Sequence, residues 1–165
     1  MALGGERTEI HSLVLRQIAP VMAAGTLGGL SLIEGGFVRA SYTTSNSPLQ
    51  QNWISAIVVS GGAFFVGTYG GGVLQMDTDG RWTDFPDIPP HTVINPNAML
   101  AVSDRVLAGT LDRGLLVYDP ANHRWTPLTA GLPSLNVTAL AASSDNLFVG
   151  TDNGIVRMPI EKLLR

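Results

Sequence analysis

The residues able to do chemistry in this chain are few and scattered. His11, His91 and His123 stand far apart with no metal-type spacing, and the absence of cysteine removes disulfides and thiolate metal sites. The glycine-dense residues 67–72 look like a phosphate cradle, yet no Gly-Lys-Ser/Thr follows and no helix is expected to begin there. Asp77-Thr78-Asp79-Gly80 has the start of a calcium loop but lacks the third acidic position and the distal Glu. A hairpin turn explains it better. No serine sits in a nucleophile elbow. A lyase- or hydrolase-type reading therefore needs His91 to converge with Asp112 or Asp152, and no catalytic residue, metal or cofactor is otherwise implied.

Whatever positions these groups must follow from the repeat that runs through the chain. Gly-Thr pairs at Gly25-Thr26, Gly67-Thr68, Gly109-Thr110 and Gly150-Thr151 fall 42, 42 and 41 residues apart. Each pair is preceded by a short apolar run and followed by a turn that closes on a second glycine, Gly29, Gly72, Gly114 or Gly154. A further apolar run then follows each time. A period of roughly 40 to 50 residues with this internal pattern is what stacked four-stranded blades leave in a sequence. The fold expected is all-β, a β-propeller of about four units at residues 10–52, 53–95, 96–136 and 137–165, forming a single repeat domain.

Within each unit four strands, A to D, are expected. Ile54-Ser55-Ala56-Ile57 and Val137-Thr138-Ala139-Leu140 alternate with period two, thirteen residues ahead of their glycines, and mark strand A. Pro96-Asn97-Ala98-Met99 and, more loosely, Ile10-His11-Ser12-Leu13 take that place in the other units. Strands B and C flank the Gly-Thr turn. Their near-continuous apolar character suits a sheet buried on both faces. The recurring glycines are expected to permit both close backbone approach and a turn with positive φ. Trp82 and Trp125 fall near strand D, where they are expected to cover the sheet edge in a packing role. The fourth unit lacks this last strand, so it is expected to be incomplete.

In a propeller the B-to-C turns and the D-to-A connections gather on one face. Asn52, Tyr69, His91, Asn95, Asp112, Arg113, Asp152 and Asn153 are the polar or aromatic residues that this topology brings there. Asp and Asn are common turn formers that bond to their own backbone. Tyr69 and Arg113, which the repeat itself does not require, are the better binding candidates. The function expected is a non-enzymatic module that presents variable loops to a small molecule, carbohydrate, peptide or protein.

The third and fourth units carry a family resemblance. Leu115-Leu116-Val117-Tyr118-Asp119-Pro120, Arg124-Trp125-Thr126, Gly131-Leu132-Pro133 and Leu147-Phe148-Val149-Gly150-Thr151-Asp152-Asn153-Gly154-Ile155 resemble the two-component-regulator propeller repeat. The match covers roughly residues 106–158. The first unit has Val38 where the repeat has Trp, and neither of the first two has the Gly-Leu-Pro turn. The resemblance implies a bacterial sensor propeller that binds ligands outside the membrane, often fused to a histidine kinase. No kinase or membrane segment is seen in this sequence. An extracytoplasmic location is implied by the resemblance alone.

Composition narrows the function classes. With 45% hydrophobic and 14% charged residues, 19 Gly and 10 Pro, the chain reads as a turn-rich all-β domain. A net charge of -3 and ten dispersed Lys and Arg residues argue against nucleic acid as a partner. The uncharged residues 17–33 mimic a membrane span or a signal-peptide core. Pro20, Gly25, Thr26, Gly28 and Gly29 interrupt them, and the repeat register assigns them to a blade. No targeting signal is therefore expected. Propellers close with about 4 to 8 blades. Three arrangements are then open: part of a longer propeller, a half that pairs with another copy, or a four-bladed closure. The first two leave an apolar blade face that would support self-association unless covered.

Overall fold

The structure, a computed structural model, describes residues 14–18 and 21–163. Four antiparallel meanders follow one another along the chain. Blade I contains β1 (Val14–Ile18), β2 (Val21–Thr26), β3 (Gly29–Glu34) and β4 (Phe37–Tyr42). Blade II contains β5 (Ile54–Ser60), β6 (Ala63–Thr68), β7 (Gly72–Met76) and the short β8 (Trp82–Thr83). Blade III contains β9 (Ile94–Val102), β10 (Arg105–Thr110), β11 (Leu115–Asp119) and β12 (Arg124–Leu128). Blade IV has three strands, β13 (Val137–Ala142), β14 (Asn146–Thr151) and β15 (Gly154–Pro159), before a single 3-10 turn at Ile160–Lys162. The apolar stretch that resembles a span is the β2–β3 hairpin. No helix among the described residues is long and apolar enough to cross a membrane.

Strand A of blade I is seen at Val14–Ile18, with Val14 opposite Gly25. Residues 10–13, expected to hold that strand, lie outside the described residues, as does His11. In blades II to IV the strand A register shifts opposite the Gly-Thr pair, for example between Ile54 and Ala56. This bulge turns the first residue of strand A toward the preceding blade.

The four sheets are held by three apolar interfaces. Leu30 and Leu32 of blade I meet Ile57, Phe64, Leu74 and Met76 of blade II. Phe65 and Val73 of blade II meet Val106, Leu116 and Tyr118 of blade III. Leu107, Leu115 and Val117 of blade III meet Leu147 and Val149 of blade IV. A strand between two such interfaces is buried on both faces, which is why β6 reads Ala-Phe-Phe-Val-Gly-Thr with every residue buried. No fourth apolar cluster joins blade IV to blade I among the described residues, so the sheets form an open arc.

The two recurring glycines divide the work expected of one. The glycine of each Gly-Thr pair provides space. A Cβ at Gly67 would lie 2.9 Å from Ile94 Cγ2 and 2.7 Å from Met99 Sδ of the next blade, and one at Gly109 would lie 2.7 Å from both Val137 Cγ1 and the Val137 carbonyl. The second glycine provides conformation, with φ of 70° at Gly72 and 77° at Gly114.

The tryptophans pack as expected, but between blades and not over a sheet edge. Trp125 is buried between blades, with its ring 6.3 Å from Phe65 and 5.8 Å from Phe85 of blade II and 5.3 Å from Tyr118. Trp82 meets Tyr42 of blade I edge-on at 5.4 Å. Each reaches back to the preceding blade because strand D, splayed by sheet twist, leaves a gap between neighbours at the rim that only a large ring fills.

Candidate functional site

The loop face is built from the threonines of the repeat. Thr68 Oγ1 donates to the Gly72 carbonyl at 3.0 Å and accepts from Gly71 N–H at 3.0 Å. Thr110 does the same with Gly114 and Arg113, and Thr151 with Gly154 and Asn153. In blade I, Thr26 accepts from Gly28 N–H at 3.0 Å and reaches the Gly29 carbonyl at 3.4 Å. One hydroxyl thus satisfies a donor and an acceptor that the tight turn leaves open.

These turns are laced to the connections beside them. Tyr69, Leu111 and Asp152 donate their backbone N–H to the carbonyls of Trp53, Val93 and Asn136, just ahead of strand A of the same blade. Gly72 and Gly114 donate to Thr92 and Leu135 in the connection to the next blade. The loops therefore form a hydrogen-bonded belt, and the side chains on it are held at fixed spacings.

The structure sorts the eight sequence candidates by what they touch. Asn52 Oδ1 accepts from Thr44 N–H at 2.8 Å and pins the connection into blade II. Asn95 is buried and donates Nδ2 to Asn136 Oδ1 and to the Val137 carbonyl, at 2.9 and 2.8 Å. Asp152 accepts from Asn136 Nδ2 at 3.1 Å. Hydrogen bonds from Ser134 and Asn136 hold its carboxyl below the usual carboxylate range. Asn153 donates to the Pro133 carbonyl at 3.2 Å. These four are engaged in the architecture of the loops.

Of the other four, His91 and Asp112 are exposed, and Tyr69 and Arg113 are half-buried. Tyr69 stacks on Trp53 with ring centroids 4.2 Å apart and an interplanar angle of 17°. Arg113 Nε lies 3.7 Å from Asp112 Oδ1 on the blade III turn. His91 is exposed and takes a left-handed backbone with φ of 60°. Among the described residues no hydrogen bond or ion pair joins His91 to Asp112 or Asp152.

A cleft of about 490 Å³ opens on this face around the blade II turn. The connection entering blade II supplies Pro48, Gln50 and Gln51, the connection leaving it supplies Asp84, Ile88 and His91, and Gly70 and Gly71 lie between. The glycines matter here. A Cβ at Gly71 would sit 2.8 Å from Gln50 Cβ, so only a bare backbone lets the two loops approach. Of the cleft residues, sequence reasoning found His91 alone. Gln50, Gln51 and Asp84 carried no motif, and the one available signal was the proline cluster Pro86, Pro89 and Pro90, which stiffens the second wall.

The comparisons with known proteins bear on the fold. No protein-family model matches the sequence, and no curated protein matches it. Among solved structures, the computationally designed Ika4 protein is similar over 96% of this chain and 95% of its own length, with a TM-score of 0.70 and 16% identity. The WD40 beta propeller domain of Doa1 is similar over 84% of the chain, with a TM-score of 0.63 and 14% identity. This chain is an all-β assembly of propeller blades. The extracellular domain of the putative hybrid two component system BT4673 from B. thetaiotaomicron is similar over 88% of the chain, with a TM-score of 0.51 and 17% identity. The chain spans 27% of that domain and 46% of Doa1's.

Proposed function

We propose that this protein is a non-enzymatic binding module whose ligand sits in the cleft around the blade II turn. The observation that carries this reading is the cleft itself. Its volume lies within the range of small-ligand sites. Two glutamines, a carboxylate and an imidazole converge there above Phe85 and Ile88. Amide and carboxylate groups beside apolar ring and proline surface suit a short oligosaccharide or a peptide segment, which offer hydroxyl or amide groups together with apolar patches. The belt of backbone bonds holds both walls in place before the ligand arrives, so little ordering cost falls on binding. The resemblance of the repeat to two-component-regulator propellers extends the reading to a sensor role, in which occupancy of the cleft is the signal.

The test is to probe carbohydrate and peptide arrays with the labelled chain and to titrate the hits by calorimetry. His91→Gly removes the imidazole while suiting the left-handed backbone. It should weaken a cleft ligand about tenfold, in line with a lost hydrogen bond to a polar group. Replacing Tyr69 and Arg113 together asks whether the ligand extends to the neighbouring turn. A hit that is indifferent to His91→Gly and to Gln51→Trp, which fills the cleft, would place binding elsewhere and defeat the proposal.

A further inference from the structure

The face that blade IV turns away from blade III repeats, position for position, the faces that blades I to III bury against their successors. Phe148 stands where Ala23, Phe65 and Leu107 stand, and Ile155 where Leu30, Val73 and Leu115 stand. Those six are no more than 3% exposed, whereas Ile155 is 69% exposed. Ala139 and Ala141 extend the same exposed apolar surface. Gly150 is the sharpest sign. A Cβ at Gly25, Gly67 or Gly109 would run into Ile54, Ile94 or Val137 of the next blade, but at Gly150 the nearest atom is Ala139 Cβ of its own sheet, 3.3 Å away. Among the described residues, the space that a following blade needs is present and unfilled.

Blade I offers the complementary surface. Val38 pairs with Ile33 as Trp82 pairs with Met76 and Trp125 with Tyr118. The two tryptophans lie against the preceding blade, and Val38, in their position, is 63% exposed. Both free faces are also more polar than the three buried interfaces. Ser31, hydrogen-bonded to Ser41 at 3.0 Å, replaces Leu74, Leu116 and Val156, and the charged Arg157 stands where Leu32, Gln75 and Val117 stand. Surfaces that meet water in the free chain tolerate such groups, and an exchangeable interface is more polar than a core.

We propose that two copies of this chain join head to tail, blade IV of each stacking on blade I of the other, into a closed ring of eight blades. The chain carries both halves of the joint, which commits the occupant to a second copy. Closure sets the number. The four blades of one chain form an open arc, two chains supply eight, and three would exceed the usual limit of about eight. A heterologous contact that closes on itself gives a ring of defined size. The computationally designed Ika8 protein shares the fold over 90% of this chain and 46% of its own length, with a TM-score of 0.68 and 15% identity, so the chain corresponds to about half of it.

Sedimentation velocity and light scattering on the full chain test this. The expected result is one discrete species of twice the chain mass. Ile155→Asp on blade IV and Val38→Asp on blade I, both at exposed positions, should each give a folded single chain with an unchanged far-ultraviolet spectrum. Gly150→Val should do the same by filling the space reserved for the partner. Mixing the Ile155→Asp and Val38→Asp chains should restore a two-copy species at concentrations where each alone shows none, because one joint of the pair then has two intact faces. A wild-type chain that stays single at all concentrations overturns the proposal. So does a pair that ignores Ile155→Asp, growth into indefinite polymers, or a mixture that fails to recover.

Discussion

Substituting alanine at equivalent glycines of the repeat should give opposite results depending on whether a blade follows. At Gly109 the new Cβ would lie 2.7 Å from Val137 Cγ1 and from the Val137 carbonyl, and 3.0 Å from Ala98 Cβ. The carbonyl has little freedom to retreat, because Asn95 Nδ2 donates to it from a buried position at 2.8 Å. Overpacking of this kind costs about 1–3 kcal/mol, and loosening the Asn95 bond adds about 1 kcal/mol. Relief of glycine's entropy in a strand returns about 0.5–1 kcal/mol. The net expectation for Gly109→Ala is a loss of about 2 kcal/mol, or roughly 4–8 °C in Tm for a domain of this size. At Gly150 only the Ala139 contact at 3.3 Å opposes the change, so Gly150→Ala should fall within about 0.5 kcal/mol of the parent, on either side. Urea unfolding followed by tryptophan fluorescence, with Ile155→Asp as a common background to keep the chains single, measures both. Equal losses at the two sites would refute the assignment of this glycine to blade spacing.

Further outcomes follow from the same contacts. Thr110→Val strips the blade III turn of a donor to Gly114 and an acceptor for Arg113 N–H; it should cost about 1–3 kcal/mol and speed hydrogen exchange at Arg113 ahead of the strands. Trp125→Ala opens a void between blades II and III and should cost about 3–5 kcal/mol in the same unfolding assay. Three carboxyls are held below the usual value of 3.8: Asp77 by backbone bonds from Arg81 and Asp79 and by the Arg81 guanidinium, Asp119 by Asn122 with Ala121 N–H and Arg105, and Asp152 by Ser134 and Asn136. A depressed native pKa means that their contribution is complete above that value and is lost as pH falls below it through the native values. Acid unfolding curves should therefore steepen below about pH 4, and Asp119→Asn should flatten that limb while Arg105 loses its 2.6 Å partner.

The blades were legible in the sequence because packing constraints recur. Each copy needs an apolar strand, a glycine where the next blade presses close, a threonine to close the turn and a second glycine with positive φ, and recurrence at a fixed interval makes such needs visible. The division of labour between the two glycines was not legible, since both needs select the same residue type. Trp125 was placed at a sheet edge because sequence position identifies the outer strand but not the direction of its side chains across the gap between sheets. Asn95 looked like a loop ligand by topology. Its two buried hydrogen bonds, to Asn136 and Val137, depend on how blades III and IV sit together, which no local pattern encodes.

The same contrast explains where the binding residues lie. Every B-to-C turn closes its own polar groups through its threonine, and Asn52, Asn95, Asp152 and Asn153 are drawn into holding neighbouring loops. A side chain committed to the belt has few hydrogen-bonding positions left for a ligand. Gln50, Gln51, Asp84 and His91 form no hydrogen bond to the rest of the chain among the described residues, and all four line one cleft. They lie in the connections, at positions that no blade contact dictates, whereas Phe85 in the same connection is buried between blades II and III. Recognition is thus confined to positions that stacking leaves unconstrained, and the regular part of the repeat keeps those positions at fixed separation. Exchanging Gln50, Gln51 and Asp84 for alanine and His91 for glycine should therefore abolish cleft binding while leaving cooperative urea unfolding intact. Loss of the cooperative transition instead would show that these side chains are part of the scaffold, and the separation of recognition from packing would fail.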